Sequence, residues 1–127
     1  MAALRRSRIR WIAREEGSGA RRCLDRLLPE RRFRHVARDH RSVATAIGTG
    51  FADAGVAVKL VAEEAGLSFL PVQREDYELC YPDALREEPA IRALRRALAS
   101  EALRRRFGEL PGYDARRMGE ERSVARR

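Results

Sequence analysis

Residues 39–58 constrain the fold most, because a helix start, glycines and an apolar run follow one another within this stretch. Asp39 or Ser42 can cap a helix by accepting hydrogen bonds from its free first-turn amides. The small and apolar residues of that helix recur at helical spacing: Val43, Ala44, Ile47 and Gly48. Residues 51–58 are almost wholly apolar, as in a strand that is covered on both faces. The pattern predicts an α/β fold in which a helix start beside a buried strand can hold an anion.

Length and charge limit the class of protein. A chain of 127 residues supports one domain with a modest core. The formal net charge of +8 points toward nucleic acid. However, Lys59 is the only lysine, the arginines are scattered along the chain, and 19 acidic residues lie among them. A solvated basic surface is therefore favoured over direct contact with nucleic acid.

The cysteines and histidines give no pattern of a metal site. Cys23 and Cys80 stand far apart among apolar residues, which predicts buried, reduced thiols. His35 and His40 lack a cysteine or carboxylate at ligand spacing, so neither a metal nor a cofactor is predicted. No apolar run is long enough to cross a bilayer, and the N-terminal arginines lack the apolar core of a signal peptide. We therefore expect a cytoplasmic protein without a membrane partner.

Strands and helices are predicted to alternate in the first part of the chain. Strands are predicted at residues 8–13, 33–38, 51–58 and 67–72. Helices are predicted through Leu24 up to Pro29, from residue 39 or 42 to the glycines at 48 and 50, and at 59–65, 89–99 and 101–107. The fold class is thus a mixed-sheet α/β lobe followed by a helical C-terminal section. Residues 1–7 are predicted as a flexible N-terminus and residues 116–127 as a flexible charged tail.

A second candidate anion site lies between the first strand and the helix after it. There, Gly17, Ser18 and Gly19 form a turn of the kind that cradles phosphate, because glycines let the backbone approach and free amides favour negative charge. No Gly-Lys-Ser or Gly-Lys-Thr follows, so the turn is not a Walker A loop. His40 is either an anion neighbour or a surface residue of the helix cap. Asp53 is interpreted as a structural residue that fixes the turn before its strand.

Four segments carry the motifs of one family in the same order. Residues 40–55 resemble the block H-x-x-V-A-x-A-I-x-x-G-x-A-D-x-G, and residues 11–21, Trp-Ile-Ala-Arg-Glu-Glu-Gly-Ser-Gly-Ala-Arg, resemble F-x-N-R-x-x-G-S-G-T-R. Residues 66–79 resemble G-L-x-F-x-P-L-x-x-E-x-Y-D-L, and residues 110–114 resemble L-x-G-Y-D. These motifs are similar to those of periplasmic-binding-protein-like domains related to molybdate and tungstate binders.

The resemblance implies a fold and a function. The fold is the two-lobed type 2 arrangement, of which residues 8–115 correspond to the second lobe and the C-terminal helices. The function is non-catalytic binding or sensing of a small oxyanion, molybdate or tungstate by analogy. The sequence shows no nucleophile beside a base, so an enzyme is not predicted. The predicted ligand-binding residues, taken from the matched motifs and the two helix starts, are Arg14, Ser18, Gly19, Ala20, His40, Ser42 and Tyr77. Ala20 replaces the usual threonine, so it offers an amide but no hydroxyl.

In relatives the first lobe completes the ligand shell, and its donors are not in this chain. Three explanations stay open: a fragment of a longer gene, a partner chain that supplies the first lobe, or a remnant with only a structural role. The competing function is a basic, nucleic-acid-associated regulator subunit, although clustered aromatics and a helix-turn-helix pair are missing. We expect a homodimer or a complex with another chain, because some apolar residues lack elements to pack against: Tyr77, Tyr81, Ile91, Leu94 and Leu98.

Overall fold

The structure, a computed structural model, describes residues 8–122. It divides into two compact units at residue 74, the first α/β and the second helical. The predicted flexible N-terminus at 1–7 and the last part of the predicted tail, 123–127, lie outside the described residues.

The first unit alternates strands and helices, as predicted. Its elements are β1 (Trp11–Arg14), α1 (Gly19–Leu27), β2 (Val36–Ala37), α2 (His40–Gly48), β3 (Ala54–Gly55) and α3 (Lys59–Glu64). The strands form one sheet in the order β2-β1-β3, and both pairings are parallel. The prediction of a mixed sheet is therefore wrong for the described residues, since the segment expected to add a further strand, 67–72, forms none.

The two faces of β1 are covered by different helices, because successive strand residues point to opposite faces. Ile12 packs in a buried cluster with Val43 of α2. Ala13 packs on the other face with Leu24 and Leu28, from α1 and its end. The helices after β1 and β2 therefore lie on opposite sides of the sheet, and both begin at its carboxyl edge.

Two predicted strands differ from the structure. Only Ala54–Gly55 pairs within the apolar run 51–58, and Phe51 is 54% exposed. This strand lies at the sheet edge beside β1 alone, so it is not covered along its length as expected. The second difference is at residues 67–72, where no strand forms and almost every side chain is exposed. Pro71 has no N–H to donate to a strand ladder.

The exposed stretch also determines the exposure of one cysteine. Both cysteines are free; Cys23 is buried in α1, as predicted, whereas Cys80 is exposed. Residues 68–80 are all exposed, so the apolar neighbours of Cys80 in sequence do not form a core around it. The prediction of a buried thiol is therefore right for Cys23 and wrong for Cys80.

The second unit contains a 3-10 helix (Asp83–Leu85), α4 (Pro89–Ala99) and α5 (Glu101–Gly108), so the two predicted helices are present. Ser100 caps α5 as predicted, because its hydroxyl accepts from the amide of Leu103 at 3.3 Å. Residues 116–122 make defined contacts within this unit. Glu121 accepts hydrogen bonds from Arg86 and Arg95. Gly119, at φ +85°, lies against the end of α4.

Candidate functional site

The candidate site lies at the carboxyl edge of the sheet, where β1 ends at Arg14. Arg14 pairs with Ala37 of β2, and Asp39, the N-cap of α2, follows two residues later. Ser18, the N-cap of α1, follows Arg14 after one turn. The register of two parallel strands therefore brings the starts of α1 and α2 to the same edge, beside the last residue of β1.

The start of α1 keeps two backbone amides open. The Ser18 hydroxyl accepts from the Arg21 amide at 3.1 Å and donates to the carbonyl of Glu15 at 3.0 Å. Within residues 8–122, the amides of Gly19 and Ala20 donate to no acceptor. The side chain of Ala20 is buried in the core, so its amide is the group that remains for a ligand. The turn thus offers amides, while its hydroxyl is engaged by the cap.

The start of α2 is capped by a carboxylate. Asp39 Oδ1 accepts from the Ser42 amide at 2.7 Å, so the structure selects Asp39 over Ser42 as the cap. Hydrogen bonds from the Ser42 backbone and then its side chain lower the pKa of Asp39, and the charge of Arg14 contributes. Ser42, predicted to face the ligand, therefore directs its amide to Asp39, and Arg14 lies close to this carboxylate.

Arg14 places a nearly buried positive charge at the site. Its side chain is only 11% exposed. It donates Nε to Glu15 Oε2 at 2.8 Å and Nη2 to Oε1 at 2.7 Å. This hydrogen bonding is the largest cause that lowers the pKa of Glu15 to about 2, followed by the backbone of Glu15; the charges of Arg14 and His40 contribute. Both carboxylates, Glu15 and Asp39, are thus ionised near neutral pH beside one guanidinium.

Two arginines of α1 brace the turn. Arg21 donates Nη1 to the carbonyl of Arg14 at 3.3 Å, and its guanidinium lies 5.3 Å from the centroid of the Phe33 ring. Arg22 donates Nη1 to the carbonyl of Gly17 at 2.6 Å. Because both carbonyls are held from the helix, the turn from Arg14 to Ser18 has a fixed backbone against which a ligand can dock.

Six of the seven predicted ligand residues lie around this edge: Arg14, Ser18, Gly19, Ala20, His40 and Ser42. Tyr77 belongs to the second unit and is 76% exposed there. Glu15 and Asp39 were not predicted from the sequence as charged members of the site. The signal was present, since Glu15 follows Arg14 directly and Asp39 was identified as a helix cap.

Asp53 has the structural role expected of it, with a different partner. Its Oδ2 accepts from the Arg10 backbone amide at 2.8 Å, and its Oδ1 accepts from Arg10 Nη2 at 2.6 Å. The carboxylate therefore ties the residue before β1 to the residue before β3, at the edge opposite the candidate site.

Residues 8–122 contain neither a metal-binding cluster nor a membrane-spanning helix. In this range, no group of three or more His, Cys, Asp or Glu side chains could hold a metal ion. Nor does the described part of the chain contain a helix that is both long and apolar enough to span a bilayer.

Comparison with known proteins identifies the relatives of the chain. The model of the PBP superfamily domain matches residues 1–99. A Bacillus subtilis (strain 168) protein, named uncharacterized protein YvgK, is 30% identical over 124 residues, which cover 91% of this chain and 40% of that protein. The chain therefore spans about two-fifths of the length of this curated relative. No solved structure matches the chain.

Proposed function

The chain belongs to the PBP superfamily, and from this premise we propose that it binds a small oxyanion reversibly and without catalysis. Membership by itself indicates a domain that binds a small-molecule ligand. The oxyanion class is our proposal, with molybdate or tungstate as the first candidates. For the fold, we propose a more specific assignment than membership of the superfamily gives: a second lobe of the type 2 arrangement.

One observation carries the proposal. Arg14 ends β1 one turn before α1, whose start has open amides at Gly19 and Ala20, and its nearly buried guanidinium lies close to Asp39 at the start of α2. Free amides at a helix start and the helix dipole both favour negative charge. A guanidinium adds charged donors whose geometry suits the oxygens of an oxyanion. The first unit therefore offers a compact set of donors of one polarity to a small anion.

The donor set is small, and this limits the expected affinity. Two amides and one guanidinium cannot surround a tetrahedral dianion, and the hydroxyls of Ser18 and Ser42 lie at helix caps. We propose that the remaining donors come from a first lobe, on a partner chain or on a longer form of the protein. Binding by the chain alone is then weak, and ligand stabilisation follows the ratio of ligand concentration to Kd.

The proposal is tested by thermal shift with molybdate, tungstate, sulfate and phosphate, each against chloride at equal ionic strength. We expect at least one oxyanion to raise the Tm of the wild type. Arg14→Gln should lose this rise. Arg34→Gln is the matched control, because it removes the same charge from an exposed position outside the site. A flat response of the wild type to all four anions would contradict the proposal.

The same preparation distinguishes the competing functions. Salt-dependent binding to random duplex DNA, together with a flat oxyanion response, would favour the nucleic-acid-associated alternative. The absence of both responses would favour a remnant with a structural role only.

A further inference from the structure

We propose that Glu15 competes with the oxyanion for Arg14, so that this carboxylate sets the affinity of the site and a ligand must displace it. The inference rests on the proposed function and concerns the regulation of that same site. Its basis is the contact between two adjacent residues at the end of β1.

The geometry of the pair shows the competition. Glu15 accepts two nearly equal hydrogen bonds from Arg14, from Nε at 2.8 Å and from Nη2 at 2.7 Å. This is the bidentate arrangement by which arginine also holds phosphate and similar anions. The Arg14 side chain is only 11% exposed, so little of it is open to a further partner. An oxyanion therefore needs the same side of the guanidinium that Glu15 occupies.

The surrounding charges make the competition unfavourable for a dianion. The carboxylates of Glu15 and Asp39 lie near Arg14, and His40 lies near Glu15; the Arg21 guanidinium, which donates to the Arg14 carbonyl, offsets part of their negative charge. A dianion would bring a third negative group to one guanidinium. Glu15 is also the next residue in the chain, so its carboxylate reaches Arg14 without any loss of chain entropy from loop closure. An external anion lacks this advantage and must be supplied at a concentration that overcomes it.

Glu16 provides a matched control. It has the same side chain and charge one residue further along, but it is 89% exposed and lies 3.8 Å from Arg21, not on Arg14. Replacing Glu16 changes the net charge as much as replacing Glu15 does, without opening the guanidinium. Any long-range effect of charge is therefore common to both variants.

The experiment is calorimetric titration of molybdate, tungstate, sulfate and phosphate into the wild type, Glu15→Gln and Glu16→Gln. We expect Glu15→Gln to bind at least one oxyanion tenfold tighter or better, and Glu16→Gln to stay within about threefold of the wild type. Glu15→Asp, whose shorter side chain reaches the guanidinium less well, should lie between them. Circular dichroism checks that each variant is folded. If Glu15→Gln does not fold, Glu15→Asp replaces it in the comparison with the wild type and is expected to bind more tightly.

The outcomes separate the inference from the function on which it rests. If the wild type binds and Glu15→Gln binds no tighter than Glu16→Gln, the competition is refuted while the proposed function stands. If Glu15→Gln binds an anion that the wild type does not measurably bind, the competition is supported, while the proposed function of the wild type is contradicted. If no variant binds any oxyanion, both are overturned.

Discussion

A single methyl group added at Gly55 should destabilise the first unit. A Cβ at residue 55 would lie 2.7 Å from Val43 Cγ1, 2.8 Å from Ile12 Cγ2 and 2.9 Å from the Ile12 carbonyl oxygen. Both neighbouring side chains are buried, and the third atom is backbone, so none can move away freely. Overpacking a core typically costs about 1–3 kcal/mol, and we expect Gly55→Ala to lower the free energy of unfolding by this amount.

The same substitution should weaken ligand binding. Val43 lies in the first half of α2, so a shift of this helix away from β1 displaces Asp39 and His40 relative to Arg14. The expected result is a smaller oxyanion-induced rise in Tm than in the wild type.

Urea denaturation measures the stability change, with fluorescence of the single tryptophan, Trp11, as a probe within β1. Gly48→Ala is the control, because nothing lies within 4 Å of a Cβ there. It should be neutral or should stabilise by about 0.4–1 kcal/mol, through the lower entropy of the unfolded chain. Equal midpoints for Gly55→Ala and the wild type would refute the close packing of α2 on β1 and β3.

Three further predictions concern other parts of the chain. The pKa of Glu15 is lowered from 4.5 to about 2, so its pairing with Arg14 stabilises the fold above pH 4.5, and this stabilisation is lost as the pH falls toward 2. In an acid titration, Glu15→Gln should therefore lose less stability over that pH window than the wild type. Gly119→Ala should lower the melting temperature of the second unit, because a Cβ would lie 2.8 Å from Ala99 Cα and φ is +85°. The helical circular dichroism signal measures this temperature. Gly108→Ala, which has open space around the added Cβ, should leave the melting temperature unchanged, and equal effects of the two substitutions would contradict the packing of residues 116–122. Light scattering should show a dimer, because large apolar side chains such as Leu70, 81% exposed, and Leu79 lie in the exposed stretch 68–80; a monomer at every concentration would contradict this.

The helices were predictable because their ends carry local signals. Asp39 and Ser100 accept hydrogen bonds from the amides three residues ahead, as their positions before apolar periodic segments suggest. Pro89 begins α4 at a position where its missing N–H is not needed. Signals of this kind depend only on residues within one helical turn, so they can be recognised from a single sequence.

The strands were less predictable because their extent depends on distant partners. The apolar run 51–58 contributes only Ala54–Gly55 to the sheet, and residues 67–72 contribute nothing. An apolar run shows that a segment can be buried but not which strand lies beside it. Pairing also decides whether a sheet is parallel or mixed, which explains the incorrect prediction of a mixed sheet.

The sequence allowed the location of the candidate site to be predicted, but not the charged groups that surround Arg14. The two helix starts were identified from their positions after predicted strands, and Arg14 was identified from the matched family motif. The carboxylates of Glu15 and Asp39 were not assigned to the site, because the pairing of Arg14 with Glu15 depends on rotamers rather than on sequence spacing. The side chain of Ala20 likewise lies in the core, a direction fixed by the packing of α1 on the sheet.

The central strand of the sheet is also the first strand of the described residues, and this order affects how the first unit folds. Trp11 and Ile12 find their partners only at Ala54 and Gly55. The helices α4 and α5 are consecutive and contact each other, so their contacts are local. Local contacts form faster than contacts between distant residues, because less chain entropy is lost before they are made. During synthesis, the contact between α4 and α5 can therefore form soon after both helices emerge, whereas the first unit cannot complete its sheet until Gly55 has emerged.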